Sequence, residues 1–226
     1  LDLYIGIYKQ CQKKWLKMYK INSFNNVGFL ETKLPTKAIK LLNKYIKNKK
    51  EKVNYELAGN IKSSYSLEDK DNIFFNEYLI PLINLYLKPY KNGAVVPTVL
   101  TKACKFKLNK FWVNFQKKHE FNPLHNHSGV LSFVIWMQIP SDFEKEKKID
   151  FVKHSNSPEV NSFQFVYVNA LGTVATHEYR LNKQYEKTLL LFPSTLKHQV
   201  YPFYLSDKER ISISGNIALD STQVIQ

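Results

Sequence analysis

Apolar positions fall into two textures along the chain. In the first, they return at helical spacing. Over Thr36–Lys50 the apolar set is Ala38, Ile39, Leu41, Leu42, Tyr45 and Ile46, which predicts a helix with Thr36 as N-cap after Pro35. A second helix is predicted from about Asp71 to Leu87. Ile73, Phe74, Phe75, Tyr78, Leu79, Leu82 and Leu85 supply its apolar face, and Pro81, lacking an N–H, is expected to kink it. From about Lys105 the texture changes. The stretches KFWVNFQ, GVLSFVIWMQI, KIDFVKH, FQFVYVN, GTVATHEYRL, EKTLLLFPS, KHQVYPFY and RISISGNIAL are short, rich in β-branched and aromatic residues, and parted by charged or turn-forming residues. Such a series with no helix between predicts a sandwich or barrel, not a βαβ array.

No internal repeat or low-complexity linker divides the chain. The expected architecture is α+β, with residues 1–226 as a single domain: a mainly helical N-terminal layer over 1–104 packed against a β-core over 105–226. With 226 residues, 44% hydrophobic and 14% aromatic, the chain can bury a full core, which excludes a disordered protein. No apolar run approaches the roughly 20 residues of a membrane helix. The opening LDLYIGIYKQCQKKWLKMYK lacks a basic region before its apolar patch and lacks a small-residue cleavage site, so it reads as a poor signal peptide and a cytoplasmic location is expected. Met18 is a candidate natural start. Cys11 and Cys104 are too few for a disulfide framework and have no metal-binding spacing.

The net charge of +14 raises a nucleic-acid partner, but arginine occurs only at Arg180 and Arg210. Lysine scattered over an AT-rich composition gives a basic surface without the arginine forks and clustered runs that read phosphates. A nucleic-acid module is therefore not expected.

Candidate chemistry sits in NPLHNHSGVLSFVIWMQIP, Asn122 to Pro140. His125 and His127 stand one residue apart, and alternate residues of a strand face one side. For an isolated H-x-H, two satisfied histidines at a strand entrance would be the ordinary reading. A later stretch, LLLFPSTLKHQVYPFYLSDKERISISGN, changes that. There an apolar strand ends at Phe192-Pro193-Ser194, His198 follows, and Arg210 opens an R-I-S-I-S strand with Ser212 on the same face. An Fe(II) that must also bind a bidentate cosubstrate and dioxygen can take only three protein ligands, all on one face. A dicarboxylate cosubstrate needs a cation at its far end, and a guanidinium grips a carboxylate with two bonds.

Together, H-x-H after FNP, then FPSTLKHQVYPF, then RISISGN resemble the 2-oxoglutarate/Fe(II)-dependent oxygenases. The prolyl-hydroxylase-like group of marine bacteriophages and bacteria is the most similar. The resemblance spans roughly Asn114 to Leu219, and weakly ELAGNIKSSYSL upstream. It implies a double-stranded β-helix, the cupin-like jelly roll, as the core. It implies that His125, His127 and His198 bind iron and that Arg210 with Ser212 binds the distal carboxylate of 2-oxoglutarate. Asn114 matches the place where related enzymes set a polar side chain against the cosubstrate, and Gln116, two residues on, faces the same side; both are weaker assignments than the metal set. The partners implied are 2-oxoglutarate, dioxygen and a substrate bearing a peptidyl side chain, proline first. If the gene is a phage gene, the location is the host cytoplasm.

The chain departs from this family in one respect. Most members carry a carboxylate at the position of His127, and three histidines leave the iron site one unit more positive. Three accounts stay open: a three-histidine iron site, two histidines completed by a distant carboxylate or water, and a metal-free relic. Two further functions compete, a catalytically silent jelly-roll binding or virion-associated module, and a three-histidine cupin dioxygenase that does not use 2-oxoglutarate. Metal binding needs neutral imidazoles, so affinity is expected to fall steeply through pH 6–7 unless a hidden carboxylate ligand completes the site or the site is unusually buried.

Overall fold

The computed structural model describes residues 27–89 and 104–224. In chain order, these contain β1 (Leu30–Lys33), α1 (Thr36–Lys47), β2 (Ser64–Ser66), a π-helical turn (Phe75–Leu79) running into α2 (Ile80–Leu87), β3 (Cys104–Gln116), β4 (Asn122–His125) and β5 (Leu131–Gln138). Then follow a single helical turn α3 (Phe143–Glu146), β6 (Ser162–Val168), β7 (Val174–Arg180), β8 (Thr188–Pro193), β9 (Lys197–Val200) and β10 (Arg210–Val224).

The strands form two antiparallel sheets. One has the order β1-β8-β5-β10-β3-β2 and the other β4-β9-β6-β7. From β3 onward the chain changes sheet at every connection except the β6–β7 hairpin. Two four-stranded layers wound in this way make a jelly roll, with β1 and β2 added at the outer edges of the first sheet.

Strand alternation then sorts the side chains. On the outer face of the larger sheet, Phe111, Val113, Phe133, Ile135, Leu189, Leu191 and Ile213 pack with Ala38 and Leu42 of α1 and with Phe74, Leu79 and Ile83 of the second helical segment. On its inner face Val134, Trp136, Leu190 and Phe192 meet Phe163, Phe165 and Tyr179 of the smaller sheet. Because β5 and β8 are covered on both faces, they read as unbroken apolar runs.

The structure corrects several expectations. Among the described residues of the N-terminal segment, α1 and the second helical segment cover the larger sheet, while β1 and β2, which were not expected, join its edges. Thr36 is the first residue of α1, not its cap: Pro35 occupies the cap position in extended conformation and no side chain caps there. The second helix divides at the π-turn, and Pro81 sits in the first turn of α2, where a missing N–H costs little. Its true cap was missed: the Asp69 carboxylate accepts the backbone N–H groups of Phe74 and Phe75 at 2.9 and 2.8 Å. KIDFVKH is not a strand. Val152 and, partly, Ile149 pack with Phe143 and Val160 in a small cluster around α3, and their spacing of three belongs to turns. Cys11 and Met18 lie outside the described residues. No helix among the described residues is long and apolar enough to cross a membrane.

Candidate metal centre and anion pocket

Between the two sheets lies a cavity of about 240 Å³. Three histidines meet there. His125 closes β4 and stands opposite His198 of β9 in the antiparallel register. His127 does not extend β4; it lies in the loop that follows, so strand alternation is not what aims it. Its backbone N–H donates to the Ser194 carbonyl at 2.8 Å, and the Ser194 hydroxyl donates to the Gly129 carbonyl at 2.6 Å. Gly129 is required at this turn: its φ is +102°, and a Cβ there would lie 2.7 Å from the Ile217 carbonyl oxygen. The FPS element of the sequence thus ties down the loop that carries His127.

The ring centroids of His125–His127, His125–His198 and His127–His198 are 4.9, 4.3 and 5.0 Å apart. One ring nitrogen of each lies within 4.8 Å of the others, the spacing of a group that could hold one metal ion. Among the described residues no carboxylate joins this group. His125 Nδ1 lies 2.6 Å from the Pro123 carbonyl, and His198 Nδ1 lies 3.0 Å from that of Leu196. A carbonyl only accepts, so each Nδ1 carries the proton and each Nε2 keeps its lone pair for a metal.

Burial keeps the rings neutral. It lowers the pKa of His125, partly offset by the bond to Pro123. It takes His127 down to about 4, helped by His125 and Lys110, and His198 down to about 3, helped by His125. The steep metal loss expected through pH 6–7 is thereby moved to more acid conditions. His119, His154 and His177 do not join the group. His119 packs against Tyr204, and His177 against Phe29 and Tyr179.

Arg210 also lines this cavity and is 1% exposed. No carboxylate pairs with it among the described residues. Nη1 donates to Gln116 Oε1 at 3.3 Å and to the Tyr201 carbonyl at 3.4 Å, while Nη2 donates to Asn161 Oδ1. Phe203 lies under the guanidinium, 4.9 Å from ring centre to Cζ. Nε is buried with no hydrogen-bond partner. Burial pushes the pKa down to about 9, with Glu146 pulling the other way, so the group remains cationic at neutral pH. A buried cation with an unmet donor fits an anionic guest.

Ser212 lines the cavity two residues along β10, and Asn114 lies opposite it in the register on β3. Asn114 Oδ1 accepts from Ser64 Oγ at 2.7 Å, which leaves its N–H groups for a guest. Gln116 differs. Its amide donates to the Glu120 carbonyl at 2.6 Å while its oxygen holds Arg210, so it supports the arginine.

Sequence reasoning missed Asn161, Tyr201 and Phe203, whereas Glu56–Gly59, which lines the cavity from outside the sheets, opens the weakly similar stretch ELAGNIKSSYSL. Asn161 adopts a φ of +44°, which asparagine tolerates better than most residues.

Residues 110–216 match the family model described as "Putative 2OG-Fe(II) oxygenase". This span is just under half the chain and holds all three histidines and Arg210. Its description names the metal and cosubstrate implied by the sequence, Fe(II) and 2-oxoglutarate. No curated protein matches the chain closely enough to count as a relative. Among solved structures, the chain is similar to a prolyl-4-hydroxylase of Pseudomonas putida, with 12% identity, TM-score 0.46, and 87% of this chain and 95% of that one covered. It is similar to HygX of Streptomyces hygroscopicus, solved with nickel, 2-oxoglutarate and hygromycin B, with 12% identity, TM-score 0.48, and 85% and 83% covered. It is also similar to a prolyl hydroxylase of Trichoplax adhaerens, solved with a hypoxia-inducible-factor peptide fragment, with 15% identity, TM-score 0.46, and 95% and 93% covered.

Proposed function

We propose that this chain is a non-haem Fe(II)- and 2-oxoglutarate-dependent oxygenase that hydroxylates a peptidyl side chain, with proline the first candidate. One observation carries the reading. Three imidazoles with converging ring nitrogens, two of them with Nε2 kept free, and a buried, carboxylate-free arginine line a single cavity. His125, His127 and His198 would hold the metal, and Arg210 with Ser212 the distal carboxylate, with Asn114 beside it. When bound, Fe(II) and 2-oxoglutarate would supply, with dioxygen as the oxidant, decarboxylation to succinate and CO2 coupled to hydroxylation of the substrate, one oxygen atom going to succinate and the other to the new hydroxyl.

The chain's own share is placement. Pro123 and Leu196 fix the tautomers of His125 and His198, and Trp112 stands edge-on to His127 at 5.8 Å. Gln116 and Asn161 hold the guanidinium in place before the cosubstrate arrives. The cavity walls, Phe163, Phe192 and Trp136 among them, exclude water around the metal end.

The same reading takes residues 1–226 as one domain with a catalytic core over 105–226, working in the cytoplasm, and relates the chain to the phage and bacterial group it resembles. The experiment is a turnover assay on purified protein with Fe(II) and 2-oxoglutarate. Succinate release that requires both, and that stops on His198→Ala, supports the reading. Metal-loaded protein that releases no succinate with any peptidyl-proline substrate or uncoupled would leave a binding module.

A further inference from the structure

Glu146 is a buried carboxylate with no place in the reaction described above. It is 0% exposed and ends α3, the helical turn inserted between β5 and β6. Its oxygens accept two backbone N–H groups of the segment that leads from β9 to β10: Tyr204 N to Oε2 at 2.9 Å and Leu205 N to Oε1 at 3.0 Å. That segment is the one that furnishes Arg210 with partners, through the Tyr201 carbonyl and the Phe203 ring. The inserted turn is itself well held. Asp142 Oδ1 accepts the Lys145 N–H at 3.3 Å, and Phe143 is 1% exposed. From this geometry we infer that Glu146 is a positioning residue for the anion pocket: it pins the Tyr201–Leu205 segment so that Phe203 and the Tyr201 carbonyl hold the Arg210 guanidinium in its binding orientation.

This inference rests on the oxygenase reading and names a residue, remote in sequence, that sets cosubstrate affinity. A buried carboxylate that satisfies two adjacent backbone donors fixes a loop more firmly than a neutral acceptor does, because hydrogen bonds to charged groups are the stronger class. Gln at this position keeps the shape but turns one of the two contacts from acceptor to donor, against a donor.

The test uses full-length protein, with Mn(II) as the metal probe and 2-oxoglutarate titrated into Mn(II)-loaded protein. Glu146→Gln is expected to raise the 2-oxoglutarate Kd about three- to tenfold. The Mn(II) Kd should stay within about twofold, and in an Arg210→Lys background the effect on 2-oxoglutarate should shrink to within about twofold as well, because the two residues act as a unit. Phe203→Leu reads the same device from its other end and carries the test if Glu146→Gln does not fold; it too should weaken 2-oxoglutarate selectively. Failure of Mn(II)-loaded wild type to bind 2-oxoglutarate would overturn the oxygenase reading and this inference with it. If wild type binds and neither variant changes the affinity, only the inference falls. Parallel loss of Mn(II) and 2-oxoglutarate, or a full effect in the Arg210→Lys background, would make Glu146 a general support of the fold.

Discussion

The two ends of the cavity are built in opposite ways. The metal end is local: His125 and His198 are each held by a carbonyl two residues earlier in the chain, and β4–β9 pairing sets them opposite each other. The anion end is assembled from afar. Arg210 takes its partners from Gln116, Asn161 and Tyr201, and behind them stand Glu120, Ser141 and Glu146. Locally built sites depend on few residues and fail when a ligand is lost. Sites assembled from several strands can be weakened one support at a time.

The largest effect should come from the local end. Removing a ligand, as in His198→Ala or His125→Ala, should cost more than the roughly 10- to 100-fold typical of losing an outer support. Metal titration reads it directly, and retention of metal by either variant would break the contrast. At the other end, Arg210→Lys keeps a charge but loses the planar fork. The expected loss is about ten- to a hundredfold in 2-oxoglutarate affinity with metal binding preserved. Equal affinity in both proteins would remove Arg210 from the site.

Asn161→Ala sharpens the contrast further. It strips a buried acceptor from Arg210 and Ser141 and a donor from the Leu181 carbonyl. Denaturant unfolding should show about 1–3 kcal/mol of lost stability, and 2-oxoglutarate should weaken while metal does not.

A pH titration probes the buried histidines. An unfolded histidine titrates near 6.5, whereas burial holds His127 near 4 and His198 near 3. Between these values the unfolded chain binds more protons than the folded one. Stability of the metal-free protein is therefore full above about pH 6.5 and declines as pH falls toward 4 and then 3. Thermal midpoints of metal-free protein taken from about pH 7.5 to 4.5 should fall steadily; a flat profile would contradict neutral, buried rings. The smallest effect belongs to the exposed pair of Lys110 and Glu56 at 2.9 Å, both side chains more than a third exposed. Lys110→Met should leave the denaturant midpoint nearly unchanged.

The same contrast decides what could be read from the sequence. The H-x-H pair, His198 after FPS, and Arg210 in R-I-S-I-S are short-range patterns, and the structure brings all of them to one cavity. The strands β5, β8 and β10 were legible because two-sided burial leaves continuous apolar runs and a half-lined cavity leaves strict alternation. The supports of Arg210 were not legible. Asn161, Tyr201 and Phe203 are ordinary residues in ordinary loops and Glu146 ends the single turn of α3, and only the fold makes them neighbours. The false strand at KIDFVKH failed for a related reason, since its apolar residues serve the small cluster around α3 and not a sheet. His127 reached the cavity through loop tethering by Ser194 and Gly129, where strand alternation gave the expected convergence for the wrong cause.

The central claim is that one cavity binds a metal at its histidine end and 2-oxoglutarate across to Arg210. Ligands that share a site in this way must assist each other's binding equally. The direct measurement is calorimetric titration of 2-oxoglutarate into the protein with and without Mn(II). The account predicts binding that is at least about tenfold tighter with the metal, a coupling within the usual range for linked ligands. Affinity that is the same in both states, or no binding in either, would contradict it.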